Sequence, residues 1–438
     1  MSSRKRALSD VDILPDPKDK DQRLAHKQPR LDSSLSPPLH VSSSLPYPST
    51  SQSASRAIPF QRPLPLISFS YTNDRKLEFS DAAMRYYVSP PLDADLGHGY
   101  ERWIRRPEER GRLDGLLRAI SEVRRRGTGD PVINIVSWRG VMTKILTGPY
   151  EDRDGWELNV MAISGTLYFE EFISDARLQE KENLTPHHRM QTYYGYSFES
   201  WCTASRPDAS SGWGGDVDTN VQWCSVVKTK LGDTRIVIGG EVDCVRDRYD
   251  GRNDTMLELK TSMTIRGDRD KARFEKKLLK FYFQSFLLGV PEILVGFRTP
   301  NGKLKTTESF KTLEIPRMVR GKENAWDPQI CLSWGERFLT WIKSNVESGN
   351  AAAPGSVWRV KFTPRVGVEL ASLSEEERRE VEAGEDRIGF LPKWYYTEIQ
   401  NASSPSAQRS GSAVQPEQSR SSGPSTPINR TLPAGWQI

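Results

Sequence analysis

One stretch, Arg235 to Thr261, constrains the fold more than any other. It runs Arg-Ile-Val-Ile-Gly-Gly-Glu-Val-Asp-Cys-Val, crosses a polar turn, and continues Met-Leu-Glu-Leu-Lys-Thr. A strand turns alternate side chains to opposite faces, so Ile236, Ile238, Val242 and Cys244 share one face while Glu241 and Asp243 share the other. In the second half Leu257 and Leu259 take the core side, with Glu258 and Lys260 opposite. The link from Asp247 to Asp254 has the Gly, Asn and Asp content of a hairpin loop. Pairing the two strands would bring three carboxylates and one amine into a single patch.

That patch has a chemical reading. Side chains two apart on a strand lie roughly 6.6 Å apart, at about 3.3 Å per residue. Carboxylates so placed can hold one or two hard cations, and a lysine beside them adds positive charge or orients a water. Phosphoester cleavage needs that combination, because charge develops on phosphoryl oxygens and water is a poor nucleophile. The same alternation also suits a solvated strand face with ordinary charge pairing. Two adjacent apolar strands that both carry it weigh towards a metal-dependent nuclease.

The chain has 438 residues, 36% hydrophobic and 27% charged, enough for one large or two ordinary domains. No apolar run approaches the roughly 18 residues of a membrane span, so no membrane partner is expected. No apolar segment of a secretory leader follows Met1. Cys202, Cys224, Cys244 and Cys331 form no close pair and read as reduced thiols of a nuclear or cytosolic protein. His187 and His188 are adjacent and point apart, so they are assigned no metal. A net charge of +5 is a mild hint towards nucleic acid.

Residues 1–58 and 401–438 are poor in apolar side chains and rich in Ser and Pro; both are expected to be disordered tails. Ser3-Arg4-Lys5-Arg6 could belong to a nuclear import signal. Residues 59–400 read as a single domain without internal repeats. Leu113, Leu116, Leu117, Ile120 and Val123 recur at helical spacing up to Gly127. A strand over Val132 to Val136 leads into Trp138-Arg139-Gly140 and a short helix, Val141 to Leu146. Trp156 to Phe172 divides around Ser164-Gly165 as a hairpin. Tyr194 to Glu199, which includes the Gly195 to Glu199 motif, is expected to open a helix, Arg273 to Leu288 forms another, and Glu292 to Arg298 is a strand. Asp327-Pro328 has the cap and first residue of a further helix. Strands over Val357 to Leu370 and a Phe390 to Tyr396 segment complete the body.

On the helix after the central strands, Arg273, Lys277, Lys280 and Gln284 share one face. A basic stripe beside a metal site suits a nucleic-acid backbone, and equally suits a solvated face. Arg139 ends a buried-looking strand, where a functional group can be held rigidly.

Taken in order, Trp138-Arg-Gly140, Gly195-Tyr-Ser-Phe-Glu199, Glu241-Val-Asp243, Glu258-Leu-Lys260 and Gln284-Ser-Phe-Leu-Leu-Gly-Val290 carry a resemblance. So do Thr219-Asn-Val-Gln-Trp-Cys224 and Val295-Gly-Phe-Arg298. From about Pro59 to about Ile399 the chain resembles the DXO family of RNA 5′-end decapping nucleases, in particular its fungal nuclear branch. The resemblance implies a mixed α/β fold of two β-sheets with surrounding helices, related to divalent-metal-dependent exonucleases. It implies that Glu199, Glu241, Asp243 and Glu258 bind Mg²⁺ or Mn²⁺ with help from the Leu259 carbonyl. It places Lys260 and Gln284 at the reacting phosphate and Arg139 at the RNA 5′ end, with Cys224 and Arg75 on the cap side. The family's animal members offer a glutamate near the position of Gly111, a departure that bears on cap selectivity.

The reading is a hydrolase of RNA 5′ ends carrying a triphosphate, an incompletely methylated guanosine cap or an NAD cap. Its product would be 5′-monophosphate RNA, and the resemblance adds a nuclear location and the nuclear 5′→3′ exoribonuclease as partner. Two other classes fit parts of the sequence: a non-catalytic subunit stabilising that exoribonuclease, and a DNA nuclease of the same broad fold. The intact carboxylate set speaks against the first.

Overall fold

The computed structural model describes residues 43–50, 56–127, 132–322, 325–348 and 355–402. Along the chain come β1 (Ser43–Pro46), β2 (Leu64–Tyr71), β3 (Leu77–Glu78), β4 (Tyr86–Tyr87), α1 (Asp114–Arg125), β5 (Ile135–Trp138) and α2 (Arg139–Thr147). Then follow the hairpin β6 (Trp156–Ile163) and β7 (Thr166–Phe172), α3 (Asp175–Glu182), α4 (Pro186–Trp201) and β8 (Thr203–Ala204). The centre holds β9 (Gln222–Leu231), β10 (Thr234–Glu241), β11 (Cys244–Val245), β12 (Met256–Met263) and α5 (Asp268–Leu288). After it stand β13 (Glu292–Arg298), β14 (Leu304–Lys311), α6 (Ile315–Val319) and α7 (Pro328–Ser348). The last elements are β15 (Trp358–Thr363), β16 (Gly367–Ser372), α8 (Glu375–Glu382), β17 (Arg387–Ile388), β18 (Leu391–Pro392) and α9 (Lys393–Ala402).

The fold is mixed α/β with two main sheets, as the resemblance implied. The larger has the order β1-β16-β15-β6-β7-β5-β10-β9-β2-β3, the smaller β14-β13-β12-β11-β4-β8. Helix α5 lies between them. Its Leu278, Tyr282 and Phe286 share one core with Ile236 and Ile238 of the large sheet and with Met256, Ile293 and Val295 of the small one. Helices α1 and α9 cover the far face of the large sheet, where Leu116, Leu117 and Tyr395 meet Val136 and Val237. Helix α4 covers the far face of the small sheet through Tyr194 and Phe198 against Leu257, Leu259 and Leu294. Among the described residues no helix is long and apolar enough to cross a membrane.

Local chemistry explains several boundaries. Ser164 (φ 49°) and Gly165 (φ 78°) make the tight turn of the β6–β7 hairpin. The Asp327 carboxylate accepts the Gln329 N–H at 2.8 Å, capping α7 where Pro328 begins it.

Three expectations need correction. Arg235 to Thr261 is not one hairpin. β10 stays in the large sheet between β5 and β9, whereas β11 pairs with β12 in the small one. The chain changes sheet at Val242-Asp243, and Val237 is as buried as Ile236, so β10 is covered on both faces. Gly195 to Glu199 does not open a helix but closes α4, whose start is set by the Thr185 cap and Pro186. Finally, the expected tail 1–58 contains β1, paired with β16. Leu45 is buried there, the Tyr47 hydroxyl donates to the Pro149 carbonyl at 2.6 Å, and Trp341 donates to the Ser43 hydroxyl at 3.0 Å. The rest of the two expected tails lies largely outside the described residues.

Candidate active site

Glycines bring the two sheets' functional groups together. β5 runs parallel to β10 with Trp138 beside Gly239. A Cβ on Gly239 would stand 2.7 Å from the Trp138 ring, and one on Gly240 would stand 3.0 Å from Arg139 Cβ. With no side chains there, Arg139 crosses over β10 and reaches Glu258 on the other sheet. A third glycine, Gly296 on β13, performs the same service for α4: a Cβ there would lie 2.4 Å from the Phe198 ring. Arg298 fastens the same helix, donating to Gln191 at 2.6 Å with its guanidinium 4.8 Å over the Tyr194 ring. Glu199 follows Phe198, so this packing fixes where its carboxylate stands.

Glu258 is the centre of the cluster. It is fully buried, and its two oxygens accept from Arg139 Nη1 at 2.8 Å and Lys260 Nζ at 2.5 Å. Asp243 accepts the Leu259 N–H at 2.6 Å and lies 3.9 Å from Lys260 Nζ. Glu241 accepts from Gln222 Nε2 at 2.9 Å. Glu199, Glu241 and Asp243 line a cleft of about 420 Å³ with Trp103, Arg106, Tyr196 and Gln222.

The electrostatics follow from that geometry. Burial raises the Glu199 carboxyl well above its ordinary value, and the nearby Asp243 and Glu241 charges add to this. Burial also raises Asp243, to about 7, with Glu258 adding and Lys260 opposing. Glu241 is raised by burial against the pull of Arg139. Glu258 alone ends below its ordinary value: burial pushes it up, but Arg139 and Lys260 together outweigh burial. Burial works against the charge on Lys260 and Arg139, and the carboxylates, Glu258 first, hold both protonated.

Four crowded carboxylates, Glu258 fully buried and Glu199, Glu241 and Asp243 half-buried, form a hard-oxygen donor set whose charge a divalent cation would relieve, so the residues fit such an ion in chemistry. Among the described residues no three carboxylates, histidines or cysteines are arranged as a finished cage, and Glu258 is engaged by Arg139 and Lys260. The Leu259 peptide enters the site through its N–H.

The remaining expected residues are more scattered. Gln284 is half-buried near the end of α5 and is not bonded to the cluster. Lys280 pairs with Glu151 at 2.9 Å and Arg273 with Asp270 at 3.5 Å, so part of the basic stripe is already answered by the protein's own carboxylates. Cys224 is buried on β9 opposite Glu241, its thiol pushed far up by burial first and Glu241 second. Arg75 donates to Gln222 rather than lining the cleft. Gly111 does line it, and a side chain there would meet open space. Gln222, Arg106, Trp103 and Tyr196 were not foreseen. Gln222 stood inside a recognised motif, two positions from Cys224 on one strand face, and that parity could have found it.

A two-sheet α/β fold with Glu-x-Asp and Glu-x-Lys carboxylates meeting between the sheets defines a nuclease of the PD-(D/E)XK kind. The chain belongs to the RAI1 like PD-(D/E)XK nuclease family, whose model matches residues 61–396. The Decapping nuclease RAI1 of Mycosarcoma maydis is 35% identical over 446 residues, covering 78% of this chain and 88% of that one. Among solved structures, Candida albicans Rai1 in complex with pU5-Mn²⁺ superposes with a TM-score of 0.71 at 26% identity, over 83% of this chain and 100% of the other. Scheffersomyces stipitis Rai1 in complex with (3′-NADP)⁺ and calcium ion gives a TM-score of 0.70 at 25% identity, over 82% and 100%. The resemblance read from the motifs therefore holds.

Proposed function

We propose that this chain hydrolyses RNA 5′ ends bearing a triphosphate, an incompletely methylated cap or an NAD cap, and leaves a 5′ monophosphate. The carrying observation is the buried cluster in which Glu258 holds Arg139 and Lys260 beside Asp243, which with Glu199 and Glu241 lines a polar cleft. Glu199, Glu241, Asp243 and Glu258 would hold Mg²⁺ or Mn²⁺. When bound, such an ion supplies Lewis-acid stabilisation of phosphoryl oxygens. The protein's own residues do the rest. Lys260 keeps its proton under the influence of Glu258 and Asp243 and presents a full positive charge where the phosphoryl group would sit. Arg139, rigidly placed over Gly240, offers guanidinium donors to the 5′ end.

The neighbours solved with a Mn²⁺ complex and with an NADP ligand support both the ion and the class of substrate. A nuclear location and binding to the nuclear 5′→3′ exoribonuclease belong to the same proposal. The test is incubation of the full chain with triphosphate-, cap- and NAD-ended RNA and with DNA, with and without EDTA. EDTA-sensitive conversion of the RNAs to 5′-monophosphate ends is expected. Cleavage of DNA alone, or of nothing, would overturn the proposal.

A further inference from the structure

Arg75 was expected on the cap side of the substrate; its guanidinium is engaged within the protein. The residue sits in a left-handed conformation (φ 57°), with its guanidinium 3.8 Å over the Tyr71 ring. Nη1 donates to the Asn220 carbonyl at 2.9 Å and to Gln222 Oε1 at 2.7 Å, which uses both of its hydrogens within the protein. Arg106 Nη1 approaches the same oxygen at 3.4 Å. Gln222 lines the cleft and Arg75 stands behind it.

Guanidinium groups only donate, so the carboxamide oxygen of Gln222 must face the two arginines. Its NH₂ must then face the other way, and there Glu241 Oε2 accepts it at 2.9 Å. The reversed amide would set N–H groups against two guanidiniums and an oxygen against a carboxylate. The orientation is fixed by chemistry, not by packing alone.

We infer that Gln222 is the positioning residue for Glu241, and that Arg75 acts through Gln222 rather than on the cap. The inference rests on the hydrolase reading above. By holding one Glu241 oxygen, the amide fixes the carboxylate against the cleft. Losing an outer hydrogen-bond partner of a metal-binding group typically costs about 10–100-fold in affinity or activity.

The test combines kinetics with calorimetry of Mn²⁺ binding. Arg75→Leu, Gln222→Leu, Gln222→Glu and the Arg75→Leu/Gln222→Leu double variant are compared on triphosphate-ended and NAD-ended RNA. Each single variant should lower kcat by about tenfold or more, equally on both RNAs, with KM little changed. Gln222→Glu keeps an acceptor for Arg75 but offers Glu241 no donor, so it should follow Gln222→Leu in both kcat and weakened Mn²⁺ binding. The double variant should be no worse than Gln222→Leu, because Arg75 then has nothing to orient. A defect of Arg75→Leu confined to NAD-ended RNA or to KM would make Arg75 a substrate contact and overturn the inference. Multiplying losses in the double variant would overturn it too. If the wild-type protein hydrolyses neither RNA, the hydrolase reading fails, and Mn²⁺ affinity still decides the positioning role: unchanged affinity in both Gln222 variants refutes it.

Discussion

Gly240→Ala tests how Arg139 is placed. The added Cβ would stand 2.9 Å from Leu288 Cδ1, 3.0 Å from Arg139 Cβ and 3.3 Å from Arg139 Cδ. Leu288 is fully buried at the end of α5, and Arg139 Cβ is fixed to the first residue of α2, so neither neighbour yields freely. Alanine on a strand recovers about 0.5–1 kcal/mol over glycine, whereas overpacking a core typically costs about 1–3 kcal/mol. The net expectation is a loss of roughly 0–2.5 kcal/mol, which a protein of this size survives. The functional effect is larger. Arg139 reaches Glu258 at 2.8 Å, and a displacement on the order of 1 Å in a positioned group can cost about a hundredfold in rate. Urea denaturation and single-turnover hydrolysis of triphosphate-ended RNA measure the two effects separately. A variant that turns over like the wild type, whatever its stability, would refute the argument that Gly240 places a functional Arg139.

Other perturbations have signs set by the same geometry. Asp243 is raised from 3.8 to about 7, so its proton contributes stability that is fully present below about pH 4 and lost as pH rises through about 7. In EDTA, Asp243→Asn should therefore flatten the stability profile and leave the variant more stable than the wild type at about pH 8; an unchanged profile would refute the burial argument. Gly296→Ala would press on the Phe198 ring at 2.4 Å, and should lower both stability and turnover by shifting α4 and Glu199. Wild-type turnover in a folded Gly296→Ala protein would contradict that coupling. Glu151→Gln should release Lys280 from its 2.9 Å pair and, if RNA follows this face, steepen the log–log salt dependence of binding by about 0.7. An unchanged slope would leave the face as scaffold.

The chemistry of the site was more legible than its construction. Alternation along Ile236–Asp243 and Leu257–Lys260 identified the carboxylates and the lysine, because strand parity is a local property. The same parity could not say that the two segments belong to different sheets. That depends on which neighbours β10 and β12 take, and on a change of direction at Val242-Asp243 that neither Gly nor Pro marks. Arg139 was singled out by its place at a strand end, but its path to Glu258 depends on Gly239 and Gly240, and nothing in a glycine pair names the side chain that will cross it. Gln222 was hidden because its two functions, accepting from Arg75 and donating to Glu241, join residues 147 and 19 positions away. Strand β1 escaped notice because its only buried apolar side chain is Leu45 within a run of Ser and Pro. The basic helix face was read correctly as a stripe, while the carboxylates that answer it come from other segments.

The central claim is that the Glu258 cluster hydrolyses RNA 5′ ends. Its most direct test is the rate at which triphosphate-ended RNA becomes 5′-monophosphate RNA, at saturating Mn²⁺, for the wild type and for Glu258→Gln shown to be folded. The account predicts monophosphate product from the wild type and a loss of at least about a hundredfold in the variant. Comparable turnover in the two proteins would contradict it.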